Sequence, residues 1–127
     1  MSLGNLKLIF LLFFFLSFSA QAASLEGNIV EIQILDKITS KVKTIEIKVN
    51  EFKKLESLRI EVYACYKKPP KEIPEDFVLL RIYDQIEQTK KELIYQGWMI
   101  SSSPASTPFE HPIYDLWIKD CKIEKDF

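Results

Sequence analysis

From Val30 to Cys121 the chain keeps returning to one pattern, in which apolar and polar residues alternate with a period of two. Successive side chains of a strand point to opposite faces, so this alternation marks strands with one face in a core and the other toward water. Val30, Ile32 and Ile34 interleave with Glu31 and Gln33, and Ile45, Ile47 and Val49 with Glu46 and Lys48. Leu58, Ile60, Val62 and Ala64 interleave with Arg59, Glu61 and Tyr63. Val78, Leu80 and Ile82 make a fourth run, Leu93 to Ile100 a fifth and Tyr114 to Cys121 a sixth. The pattern predicts an all-β fold: a compact antiparallel β-sandwich or small barrel of about six to seven strands, preceded by an N-terminal signal helix.

The connections are less regular. Asp36 to Lys41, polar around Ile38, reads as a hairpin loop, and Asn50 to Ser57 as one helical turn, with Phe52 and Leu55 three apart. Beyond the amino-terminal segment glycine occurs only at Gly27 and Gly97, so tight hairpin turns of the Asn-Gly kind are not expected. Pro69, Pro70 and Pro74 make Lys67 to Asp76 an extended loop without ladder pairing. Ser101 to Pro112 holds Pro104, Pro108 and Pro112 behind three serines, and a structureless loop of that length is a place for function.

The amino terminus has a different character. Lys7 is followed by an apolar stretch, Leu8 to Leu16, and then by Ala20-Gln21-Ala22-Ala23. A basic start, a short apolar run and small residues at −3 and −1 form the pattern of a secretory signal peptide, residues 1–22, cut after Ala22. The run is short of the ~20 residues needed to cross a bilayer as a helix. The expectation is therefore one β-rich domain, residues 23–127, in the periplasm of a Gram-negative bacterium. The formal net charge is −1, which gives no electrostatic footprint for nucleic acid.

Cys65 and Cys121 are the two cysteines. In an oxidising compartment such a pair reads as a disulfide. Closing about 56 residues stabilises a fold by about 4 kcal/mol in the chain-entropy model. Strict alternation puts each cysteine on the second face of its strand, Cys65 with Tyr63 and Cys121 with Trp117, and so places strand 58–65 beside strand 114–121.

Residues able to carry chemistry are few. His111, the one histidine, has Glu110 and Asp115 nearby, but no second histidine to complete a zinc site. Ser101 to Ser103 lack the G-x-S-x-G elbow of a serine hydrolase. No catalytic, metal or cofactor set is assigned. Aromatic residues concentrate in the last third, giving a candidate interaction surface of Trp98, Ser102, Ser103, Glu110, His111, Tyr114, Asp115 and Trp117. The leading function is a non-catalytic module that binds an envelope protein or glycan. The rival is a hydrolase-type enzyme using His111 with Glu110 or Asp115.

Several blocks carry a resemblance: Leu35-Asp36-Lys37-Ile38-Thr39, Ala64-Cys65-Tyr66-Lys67-Lys68-Pro69-Pro70, Ile73-Pro74-Glu75, Gly97-Trp98-Met99, Ser101-Ser102-Ser103-Pro104, Glu110-His111-Pro112-Ile113-Tyr114-Asp115-Leu116-Trp117 and Cys121-Lys122. In these the chain resembles a family of small exported alphaproteobacterial proteins known as a domain of unknown function. The resemblance implies a Gram-negative envelope setting and no known activity. The family pattern carries glycines near Asn50 and Glu56, where this chain has none.

Overall fold

The fold is that of a computed structural model, which describes residues 3–15, 24–103 and 109–124. A helix, α1 (Leu3–Phe15), precedes eight strands: β1 (Leu25–Gly27), β2 (Ile29–Asp36), β3 (Lys41–Lys48), β4 (Phe52–Leu55), β5 (Leu58–Lys67), β6 (Asp76–Glu87), β7 (Lys90–Ile100) and β8 (Tyr114–Lys122). All pairings are antiparallel. One sheet runs β1-β5-β6-β7, with β4 sharing the β1 edge of β5, and the other runs β3-β2-β8. The two sheets stay open, so the architecture is a sandwich and not a barrel. α1 buries no side chain. Among the described residues no helix is long and apolar enough to cross a membrane. The expected cleavage site, Ala20 to Ala23, lies outside the described residues.

The core follows the alternation. Val30, Ile32 and Ile34 of β2 meet Leu58, Ile60 and Val62 of β5 and Val78, Leu80 and Ile82 of β6, all buried. Complete burial of such a side chain is worth about 1.5–3 kcal/mol, and these nine supply much of the drive to fold. β3 is different: only Ile47 is buried, and Lys41, Lys43 and Lys48 make it a charged edge that discourages pairing with another chain.

Two short strands escape the alternation. β1 is three residues long, and β4 occupies the segment expected to form a helical turn. Four residues were too few to show a period, and pairing of Phe52 to Leu55 with Glu61 to Leu58 supplied the backbone partners that a lone helical turn would lack. The tight turns are made without glycine. Glu56 and Ser57 join the closing pair Leu55–Leu58, and Gln88 and Thr89 join Glu87–Lys90. Positive φ falls on Ser40 (59°), Asn50 (68°) and Glu56 (53°). Asn tolerates the left-handed region, but a Glu there costs about 1–2 kcal/mol. Glu56→Gly is therefore expected to raise stability by about 1 kcal/mol despite losing the exposed 3.7 Å contact to Lys43, as read by the urea midpoint. A lower midpoint would contradict the strain assigned to Glu56.

Cys65 and Cys121 are joined across the sandwich, with Cα atoms 6.0 Å apart and both side chains fully buried. The route differs from strict alternation. Tyr63 is an extra residue between the Val62–Leu80 and Ala64–Leu79 pairs, and Lys119 an extra residue between Ile118–Ile32 and Asp120–Glu31. Each β-bulge shifts the parity of everything beyond it. Both cysteines thereby turn inward, contrary to the second-face expectation, and two displacements of the same kind cancel in the pairing. β5 and β8 accordingly lie in different sheets and face each other across the core, and are not neighbours in one sheet.

Candidate binding face

The expected surface residues do not share one patch. Trp98, opposite Leu79, points outward from the five-stranded sheet. Trp117, opposite Gln33, points outward from the three-stranded sheet, where its indole N–H donates to Gln33 Oε1 at 2.8 Å. Ser102 caps the loop before β6: its backbone N–H donates to Glu75 Oε1 at 3.0 Å and its hydroxyl to Glu75 Oε2. Those bonds, the hydroxyl foremost, hold the Glu75 carboxyl below its ordinary range. Ser101 bonds the backbone of Asp76 in both directions, and Ser103 follows at the start of the loop whose residues 104–108 lie outside the described ones. Asp76 is buried, and burial pushes its carboxyl up against the opposing charge of Lys67.

His111 is a packing residue and not a surface one. It is 7% exposed, its ring between Phe109 and Tyr114 with centroids 6.1 and 5.2 Å away. Nδ1 accepts the backbone N–H groups of Ile113 (3.0 Å) and Tyr114 (3.2 Å), which leaves the proton on Nε2 to donate to Asp84 Oδ2 at 2.9 Å. The ring thus ties the start of β8 to the end of β6. Asp115 is drawn away to Lys37 (3.3 Å), whose ammonium also donates to the His111 carbonyl, and Glu110 is exposed. The carboxylate on the imidazole is Asp84, which neighbours it only in the fold. His111→Ala leaves Asp84 and two backbone N–H groups short of partners, and an expected loss of about 2–4 kcal/mol should appear in thermal unfolding. An unchanged melting temperature would show the ring to be free of that structural role.

The face with chemistry to offer is the outer side of the five-stranded sheet. Opposite the core parity, β6 presents Phe77, Leu79, Arg81 and Tyr83. Each heads a cross-strand row: Tyr66–Phe77–Ile100, Ala64–Leu79–Trp98, Phe52–Glu61–Arg81–Gln96, and Lys54–Arg59–Tyr83–Leu93. Phe52, Tyr63, Leu93 and Trp98 are each more than a third exposed. The cations lie on rings: the Arg59 guanidinium is 3.7 Å from the Phe52 centroid, Arg81 is 5.2 Å from Tyr63, and the Lys91 ammonium is 4.0 Å from Tyr83. Burial would raise the Glu61 carboxyl, but hydrogen bonds from Tyr63 and Arg59 outweigh it and hold it low. Of this face, sequence reasoning found Trp98 alone. The available signal was β6, which carries Phe77, Leu79 and Tyr83 on the parity opposite its core residues, more apolar than a solvated face needs.

A family model described as "uncharacterized protein conserved in bacteria", DUF2155, matches residues 30–121, a span that runs from β2 to the second cysteine. The chain belongs to the DUF2155 family. Another protein similar to this DUF2155 chain is the uncharacterized protein RP359 of Rickettsia prowazekii (strain Madrid E), 34% identical over 87 residues, which are 68% of this chain and 56% of that protein. The chain thus spans little more than half the length of that relative. No solved structure matches the chain. The DUF2155 match covers both bulges and both cysteines, and it excludes β1 and Gly27, which pack against the bridge.

Proposed function

We propose that this protein is an exported, non-catalytic binding module of a Gram-negative envelope, which engages a protein or glycan through the outer face of its five-stranded sheet. The observation that carries the reading is the set of exposed rings and ring-held cations on that face. Tyr, Trp and Arg are the side chains that dominate recognition surfaces. Export is supported by the signal-peptide pattern of residues 1–22 and by a buried cysteine pair suited to an oxidising compartment. The binding reading is favoured over the hydrolase because both ring nitrogens of His111 are engaged within the fold.

The test is crosslinking of tagged protein in intact cells, comparing the native chain with Trp98→Ala and Arg81→Glu. Envelope adducts are expected to fall several-fold in both variants while melting temperatures stay within a few degrees. Adducts unaffected by either substitution would remove this face from the function.

A further inference from the structure

The charge on this face is one-sided. Within the rows Lys54, Arg59 and Arg81 stand against the single carboxylate of Glu61, and Lys91 lies over Tyr83 with Glu87 and Glu92 near it at the hairpin end, in a chain whose overall formal charge is −1. Glu61 is already taken, by Arg59 at 3.0 Å and by the Tyr63 hydroxyl at 2.8 Å. Among the described residues Lys54, Arg81 and Lys91 make no ion pair with a carboxylate. Glu26, a further acid of this face, sits at its far end, beside Tyr66. A solvated strand surface normally mixes the two signs. Here the cations are gathered, and the ring beneath each of three lowers the entropy a bound anion must overcome.

We infer that the ligand of this face is an acidic polysaccharide, a chain of sugar rings bearing carboxylates. The inference rests on the binding reading above and narrows its partner class. Charge complementarity requires an anionic ligand. The exposed rings interleaved with these cations, Phe52, Tyr63 and Trp98, suit a ligand that presents ring faces as well as charge. Trp98, 43% exposed and tilted against Tyr66 at 6.0 Å, offers an indole on which a sugar ring can stack, next to the row that holds Arg81.

The experiment measures binding of the disulfide-bonded protein to three polymers by titration calorimetry at low salt. Polygalacturonate supplies rings and carboxylates, dextran rings alone, and poly-glutamate carboxylates alone. Polygalacturonate is expected to bind at least tenfold more tightly than either control and to weaken several-fold between 50 and 300 mM salt, as contacts among exposed charges must. Arg81→Gln combined with Lys91→Gln, and separately Trp98→Ala, should each weaken it about tenfold or more at unchanged melting temperature. Equal binding of poly-glutamate, no preference over dextran, or full binding by the variants would each overturn the inference. The wider reading fails separately, since cellular adducts that depend on Trp98 and Arg81 would survive a negative result with polygalacturonate.

Discussion

Reduction of the Cys65–Cys121 bridge is expected to lower the stability of this protein by about 4 kcal/mol, the value for cross-linking residues 56 apart in sequence. A domain of this size has only about 5–15 kcal/mol in total, so the bridge supplies from a quarter to most of it. The bridge joins the two sheets at one end of the sandwich, where Gly27 pairs with Cys65 and Val30 pairs with Cys121. The chain passes from one sheet to the other at Asn28, between those two pairs. Urea titrations with and without reductant measure the difference, and peptide mapping without reductant should recover one linked pair. Identical midpoints, or two reactive thiols in the native protein, would sink the expectation.

A second large effect comes from a residue with no side chain. A Cβ built on Gly27 falls far inside van der Waals contact with Cys121 Sγ, 2.6 Å from Cys65 Sγ and 3.0 Å from the Lys122 carbonyl oxygen. The constraint is steric: the bridge is fully buried and cannot move aside. Gly27→Ala should therefore cost about 3 kcal/mol or more, at the upper end for overpacking a filled core. The double substitution Cys65→Ala and Cys121→Ala removes both sulfur atoms, so adding Gly27→Ala to it should cost clearly less than in the bridged protein. That coupling separates a clash with the bridge from a generic loss of backbone freedom. Equal costs in the two backgrounds would refute the close approach.

The alternation of residues by itself determined most of the strands, the antiparallel pairing of short runs and the residues of the core. The cause is local: a strand exposes its two faces at a period of two, and burial selects the apolar one. Val30, Ile32, Leu58, Ile60, Leu80 and Ile82 were legible for that reason. The two cysteines could be paired by counting, but the faces they use could not. Tyr63 and Lys119 look like ordinary strand residues, and a bulge at each is set by the partner strand opposite, Leu79–Leu80 for the first and Glu31–Ile32 for the second. The same limit hid β4, which exists because β5 offers it an edge, and the Asp84 carboxylate on His111, 27 residues away. It also hid the candidate face. Phe52, Arg59, Tyr63, Arg81, Tyr83 and Lys91 are scattered over four strands, and single-strand patterns show each only as a polar or aromatic residue of uncertain side. The order of strands in the sheet gathered them, because neighbours across a ladder are fixed by hydrogen bonding between strands and not by position along one.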